Sequence, residues 1–330
     1  MNLFEQQASN RRRTWAVMAV FVAFLFFLGY GFDRFYLGFG STPVPVGSII
    51  ALGVGSVSAL SSYYAGDRAV LLSSGAVALE QVGSAASDAD KLKYRQLENV
   101  VDEMSIAAGL PRPKIYVVPD PDPNAFATGR DAAHASIAVT KGLLDTVNRD
   151  ELQAVVAHEL SHVRNLDIRL MTVIAAMVGA AALIADWSSR GLWMGGGRSR
   201  SSDRGGKGEG GGVFVLVLFV LWLLAVMLAP VIGQALAMLV SRKREYLADA
   251  SGAELTRNPL ALASALEKID EAAAPTASMK QGTANLCIAD PLGRSIGLRE
   301  GRWANLLASH PPMANRIAAL REMAFQASHS

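Results

Sequence analysis

The chain has 330 residues, 51% of them hydrophobic and 18% charged, with a formal net charge of +2. Ordinary soluble domains carry about 25% charged residues. The balance therefore points to a membrane protein with a water-facing part, and it gives no global case for nucleic-acid binding. The single cysteine, Cys287, excludes an intrachain disulfide, fits a reducing compartment and reads as a packing residue.

Residues 1–13 are polar and end in Arg11-Arg12-Arg13. Thr14 to Phe32 is apolar and aromatic, close to the roughly 20 residues that cross a bilayer. A cleaved signal peptide has a shorter apolar core, about 7–15 residues. Here Phe, Tyr and Gly continue through Gly38, which favours an anchored helix, and the arginine triplet places the N-terminus in the cytoplasm. After a loop from Asp33 to Pro45, Val46 to Tyr64 is a second uncharged segment. It is rich in Gly and Ser, which let membrane helices approach closely. Residues 14–66 then read as a hairpin of two transmembrane helices that returns the chain to the cytoplasm at Gly66-Asp67-Arg68.

Residues 67–169 read as the first part of a water-facing catalytic domain. Lys91 to Ala108 has helical spacing and is stopped by Gly109, Pro111 and Pro113. Lys114 to Val118 is a β-type run, Pro119 to Pro123 a turn cluster, and Asn124 to Gly129 a short segment. Ala135 to Thr140 alternates as a strand, and Gly142 to Val147 forms a short helix. A stronger helix follows from Asp150, with acids in its first turn and apolar residues on one face.

That helix carries His158-Glu159-Leu160-Ser161-His162. Residues four apart share a helix face, so His158 and His162 can point two imidazoles at one metal ion. Glu159 sits about 100° further round the helix, where its carboxylate can hold a water polarised by the metal and take its proton. This is the zinc-peptidase spacing, with Glu159 as general base. A solvated helix with surface histidines is the bland alternative.

Leu170 to Ala185 is a third apolar segment, about 24 Å long as a helix against a hydrocarbon core of about 30 Å. Residues 188–212 are a Gly/Ser/Arg-rich loop, and Val213 to Val240 is a long apolar segment with Pro230 as a kink. Arg242-Lys243-Arg244 places the end of this segment in the cytoplasm. The loop before it nevertheless carries Arg190, Arg198, Arg200, Arg204 and Lys207, which the positive-inside rule disfavours on the far side. Either four spans exist with an exception in this loop, or residues 170–240 form a helical pair that does not fully cross; four spans is the preferred reading. Both leave residues 241–330, the second part of the catalytic domain, on the same side as the metal helix. In that part Lys243 to Leu255, Pro259 to Ala272 and Met313 to Phe325 read as helices, with Ala274 to Gly297 loop-like.

A catalytic zinc takes three protein ligands and keeps one open position. The spacing His-Glu-x-x-His-x-x-Gly-x-x-His is not met, because positions 165 and 168 are Asn and Ile. The best candidate for the third ligand is Glu245, one helical turn before Asp249. Asp249 can accept the N–H of a ligating histidine. A charged, solvated helix with Glu245 paired to Arg242 is the other reading of this segment.

Taken with Asn124-Ala125-Phe126-Ala127-Thr128-Gly129, Val139-Thr140-Lys141-Gly142-Leu143-Leu144, Asn165, Asp167, Arg244 to Ala250 and Ser309-His310-Pro311-Pro312, the chain resembles the HtpX-type integral-membrane zinc metalloproteases. These are relatives of the CAAX prenyl endopeptidases. The resemblance covers nearly the whole chain and includes the order of apolar segments. It implies an α+β, mostly helical, zincin-type domain with a glutamate third ligand, joined to about four transmembrane helices. It implies one Zn2+ per chain on His158, His162 and Glu245, with Glu159 as base and Asp249 behind a ligand. His310 and Arg316 match positions near the site, with oxyanion stabilisation as the implied role; otherwise they are a surface residue before a Pro-Pro turn and a solvated helix charge. The implied setting is a multi-pass inner-membrane enzyme whose catalytic domain faces the cytoplasm. Its implied partners are the lipid bilayer and polypeptide substrates, misfolded or damaged membrane proteins above all. His134 and His329 have no motif support and read as surface residues.

A substrate in extended form can add to the edge of the small sheet, beside Asn124 to Thr128 or Ala135 to Thr140. Two rivals are weighed. A zinc-binding scaffold without turnover would need no base and would close its site with a fourth ligand. A transporter would carry ionisable residues inside its spans, and the four segments hold essentially none.

Overall fold

The computed structural model describes residues 3–34, 44–179, 242–272, 278, 286–289 and 311–329. The chain divides into two compact units. Met1–Trp15, Ser62–Ala176 and Ala237–Ser330 form the first; Ala16–Ser61 and Met177–Leu236 form the second.

The second unit contains the apolar parts of helices α1 (Leu3–Phe32) and α2 (Val46–Ser73). Both are long and apolar enough to cross a membrane. Their large apolar side chains stay mostly outside, with Ile50 at 59% and Val57 at 65% exposure, unlike those of a core helix in a soluble protein. The start of α2 is capped from across the loop. Asp33 accepts the backbone N–H groups of Gly47 and Ser48, both at 2.7 Å, and the Ser48 hydroxyl. These are N–H groups that a helix start leaves without an internal partner. The expected close approach of small residues is present: a Cβ on Gly29 would lie 2.5 Å from the Gly47 carbonyl oxygen. Both helices are longer than the apolar runs alone. α1 begins at Leu3, within the polar N-terminus, and α2 continues through Gly66-Asp67-Arg68 to Ser73, because neither segment carries a helix breaker where its apolar character ends.

The first unit is a small sheet backed by helices. Its strands are β1 (Val77–Ala78), β2 (Lys114–Val118), β3 (Ala125–Thr128) and β4 (Ser136–Thr140), in the order β1-β2-β4-β3. β2 and β4 are parallel, with Lys114 opposite Ser136 and Val118 opposite Thr140, while β3 runs antiparallel to β4. β4 is therefore paired along both sides. This removes Ala135–Thr140 as a place for a substrate strand, since its backbone groups are already used. β3 is an outer strand, and part of its free side is occupied: Ile288 N donates to Ala125 O at 2.9 Å, and Phe126 bridges Cys287. Cys287 is buried there, as a packing residue should be.

Helix α3 (Leu79–Ala85) and helix α4 (Asp88–Ala108) precede β2. Ser87 caps the start of α4, and Gly109, at φ +65°, ends it with two backbone bonds to the last turn. Helix α5 (Lys141–Thr146) leads into α6 (Arg149–Arg164), which starts with a reciprocal Asn148–Glu151 capping box. Residues 167–179 are helical (α7) and buried through Ala175. The rest of the third apolar segment, loop 188–212 and segment 213–240 lie outside the described residues. α8 (Arg242–Thr256), α9 (Pro259–Glu271) and α10 (Met313–His329) complete the unit. Leu97, Val100, Ile137, Val139, Leu152, Val155, Val156, Leu262 and Leu266, all fully buried, join α4, the sheet, α6 and α9 in one core.

Candidate metal centre

Helix α6 is exposed at Arg149, Asp150 and Arg164 but buried throughout its motif, so the motif residues point into the protein and not into solvent. His158, Glu159 and His162 are exposed by only 1%, 1% and 4%. The surface-histidine reading of the motif fails on this point. Glu151 fixes the start of the helix. It accepts the Asn148 N–H at 2.7 Å and pairs with Lys268 and Ser264, each at 2.7 Å.

α8 packs along α6, and Gly252 allows the close approach: a Cβ there would lie 3.0 Å from His158 N and 3.2 Å from its Cα. Glu245, Asp249 and Gly252 fall on one face of α8. Glu245 places Oε2 3.8 Å from His158 Nε2 and Oε1 3.7 Å from His162 Nε2. Ligand atoms of His158, His162 and Glu245 all lie within 4.8 Å of one another. The edge of a tetrahedron with metal–ligand arms of about 2.1 Å is about 3.4 Å, so the three groups fit around one small ion. The donor set fits as well. His158 Nε2 and both carboxylate oxygens of Glu159 are buried without a hydrogen-bond partner among the described residues. Such atoms are costly unless something binds them.

Behind each imidazole stands a carboxylate. Asp249 Oδ1 lies 3.0 Å from His158 Nδ1, and Asp167 Oδ2 lies 3.2 Å from His162 Nδ1. This pairing orients the rings and leaves their Nε2 atoms facing Glu245. Each carboxylate also has an arginine. Arg316, fully buried, donates Nε and Nη2 to Asp249 at 2.8 and 2.7 Å and Nη1 to Ile288 O at 2.7 Å; it also stands 3.6 Å from Glu245. Arg244 Nη1 reaches Asp167 at 3.4 Å.

The charges follow from these contacts. Burial pushes the Glu159 carboxyl up, against the opposing pull of the two histidines. Burial also pulls the His162 imidazole down, but the Asp167 bond and the Glu245 charge outweigh it and hold it at about 9 in the metal-free chain. Burial pushes Asp249 up, and the Arg316 charge and hydrogen bonds outweigh that and hold it at about 2. The Ala127 N–H, on the outer side of β3, faces the Glu159 carboxylate without closing a full hydrogen bond, and weakly favours its ionised form.

The structure thus brings together His158, Glu159, His162, Glu245, Asp249 and Arg316 from three helices. His310 lies outside the described residues. His134 is exposed, in a turn with Asp131 and Arg130. Sequence reasoning gave no role to Asp167, Arg244 or Asn10. Asp167, five residues past His162, carried a signal as an acid just beyond the metal helix; Asn10 carried none.

A buried His/His/Glu cluster with an unpaired carboxylate beside it is the centre of a metal-dependent hydrolase. Comparison with known proteins agrees. Residues 91–324 match the model of peptidase family M48. The chain is 39% identical over 321 residues to a protease HtpX homolog of Thermoanaerobacter pseudethanolicus, covering 97% of this chain and 98% of the relative. It is 40% identical, with the same coverage, to a protease HtpX homolog of Caldanaerobacter subterraneus, and 36% identical over 321 residues to one of Streptococcus pneumoniae. The crystal structure of S. mikatae Ste24p matches with a TM-score of 0.45 at 17% identity, covering 96% of this chain and 67% of that one. The chain belongs to peptidase family M48, and it is a membrane metalloprotease.

Proposed function

We propose that this chain is a zinc-dependent endopeptidase that hydrolyses peptide bonds of misfolded or damaged membrane proteins. The observation that carries the reading is the meeting of His158, His162 and Glu245 around one point, with the unpartnered Glu159 carboxylate beside it. His158, His162 and Glu245 hold the ion. When bound, zinc lowers the pKa of a water towards about 7 and polarises the scissile carbonyl. Glu159 would take the proton from that water as the water oxygen bonds to the scissile carbonyl carbon, and return it to the amine nitrogen as the C–N bond breaks.

An extended substrate pairs with the outward backbone of Ala127, the part of the β3 edge nearest Glu159. Backbone pairing is largely blind to side chains, so broad specificity follows; a cleavage profile with one sharp side-chain motif would count against it. His310 supplies a donor to the tetrahedral oxyanion. Arg316, whose donors are engaged by Asp249 and Ile288, holds Asp249 and Glu245 in place instead of meeting substrate.

The catalytic domain, in its two parts, residues 67–169 and 241–330, faces the cytoplasm of a multi-pass inner-membrane protein. Two observations support this side. Arg11-Arg12-Arg13 precede the first span, and the N-terminal turns of α1 belong to the same compact unit as the metal centre.

The test is cleavage of an unfolded protein by the purified, zinc-loaded chain beside Glu159→Gln with equal zinc content. Activity in the parent and its loss by at least about 10²-fold in the variant is the expected result. Equal rates in both would refute Glu159 as base. No turnover in either, with zinc bound in both, would favour a non-catalytic zinc protein.

A further inference from the structure

We propose that the N-terminal helix is a working part of the metal centre: Asn10 positions Asp167, and through Asp167 it positions the ligand His162. The proposal rests on His158, His162 and Glu245 being metal ligands.

Asn10 is 2% exposed, although it lies in a polar N-terminal stretch, residues 1–13. Its Nδ2 donates to Asp167 Oδ1 at 2.7 Å and to Asn165 O at 2.9 Å. The other oxygen of Asp167 is the one facing His162 Nδ1. One carboxylate therefore joins the N-terminal helix to a metal ligand, with a separate oxygen for each.

The connection crosses a turn that is unfavourable by itself. The backbone leaves α6 through Leu166 at φ +58°, a conformation that L side chains rarely adopt. This turn swings Asp167 back towards His162. Asn10 bonds the residue on each side of Leu166 and so bridges the turn.

The helix is seated for this task. Gln6, Asn10 and Thr14, spaced four apart, are all buried and form one polar stripe. The Thr14 hydroxyl donates to Asn10 O at 2.8 Å, and Gln7 Nε2 donates to Arg164 O at 2.7 Å. A membrane anchor needs none of these bonds.

The two halves of the centre also differ. Asp249, behind His158, is gripped by two short bonds from Arg316. Among the described residues, Asp167, behind His162, receives one longer contact from Arg244, at 3.4 Å, and a short bond from Asn10. Asn10 does for His162 what Arg316 does for His158.

The experiment uses the full chain in detergent micelles. Zinc affinity is measured by competition with a chromophoric chelator, and ligand geometry by the visible absorption of the Co2+-loaded protein. Asn10→Ala is expected to weaken zinc binding by about tenfold or more and to alter the Co2+ bands. Gln7→Ala, which loosens the same helix without touching Asp167, should stay within about twofold on both readouts. In an Asp167→Asn background, Asn10→Ala should add less than about twofold, because its route to His162 is gone. Should the alanine variant fail to accumulate, Asn10→Ser carries the same comparison, since its hydroxyl is too short to reach Asp167. Parent-like zinc affinity and Co2+ spectrum in the Asn10 variants, or independent effects of the Asn10 and Asp167 substitutions, would overturn the proposal. A parent chain that binds no zinc would overturn the metal reading along with it.

Discussion

Gly252→Ala separates the stability of the fold from the quality of the metal centre. The added Cβ would sit 3.0 Å from His158 N and 3.2 Å from its Cα, where ordinary contact begins at 3.4 Å. The obstructing atoms are backbone, so helix α8 must withdraw by about 0.4 Å from α6, against a tolerance of about 0.2 Å in metal–ligand distances. Glu245 and Asp249 share that face of α8 and move with it. In the metal-free chain no ligand distance opposes the withdrawal, and alanine regains about 0.8–1.0 kcal/mol of helix propensity over glycine, which offsets part of the loosened packing. Binding the ion requires α8 to come back in, against overpacking of about 1–3 kcal/mol, which corresponds to a loss of about 5- to 150-fold in affinity. Chelator competition measures the affinity, and thermal unfolding with and without zinc measures the two forms. The expected result is a metal-free Tm within a few degrees of the parent, about what 1 kcal/mol moves it, together with a smaller rise on adding zinc. Unchanged zinc affinity would refute the reasoning, as would a metal-free protein destabilised as much as the zinc complex.

Asp249→Asn leaves the fully buried Arg316 charge without its main partner and should cost about 3–5 kcal/mol in a denaturant titration. Because Arg316 holds Asp249 at about 2, below its ordinary 3.8, the pair contributes stability that is complete above about pH 4. That stability is lost as pH falls through 2, so the parent's drop in Tm over this window should be steeper than that of Asp249→Asn. Glu151→Gln removes the charge that Lys268 and Ser264 grip and weakens the cap of α6. A loss of about 1.5–3 kcal/mol is expected at pH 7. The loss should shrink in acid, because these partners hold the Glu151 carboxyl below its ordinary value against the opposing push of burial. Leu166→Gly relieves a left-handed residue that costs about 1–2 kcal/mol. After the entropy loss of about 0.5–1 kcal/mol for glycine, stability measured by urea unfolding should be level or slightly raised; a clear decrease would show that the leucine side chain matters more than the turn.

The legible parts of this molecule were those that repeat locally. His158, Glu159 and His162 follow from helical periodicity, and Glu245 with Asp249 from one further turn of the same rule. The capped helices and the paired strands Lys114–Val118 and Ser136–Thr140 followed from alternation and from stop signals at Gly109 and the prolines. What escaped depends on contacts distant in sequence. Asn10 meets Asp167 across 157 positions, through a left-handed turn that no propensity favours at leucine. The pairing of 287–288 with the β3 edge is set by where the chain returns, not by its composition. The start of α1 and the end of α2 are not legible in the apolar runs, because apolar character stops where the bilayer would, while the helical hydrogen-bond ladder continues into polar residues.

The fork of Arg316 on Asp249 has a consequence for synthesis. His158 and His162 emerge from the ribosome early, but the group that grips Asp249 and stands beside Glu245 lies on the last described helix. At about 5–20 residues per second, the roughly 150 residues between His162 and Arg316 take about 8–30 s to make. During that interval the growing chain carries both imidazoles without the cationic clamp that sets the carboxylates around them. A protease assembled in this order completes its cutting centre only after Arg316 has been made, and a ribosome-bound chain halted before Met313 is expected to release zinc to a chelator that the longer chain resists.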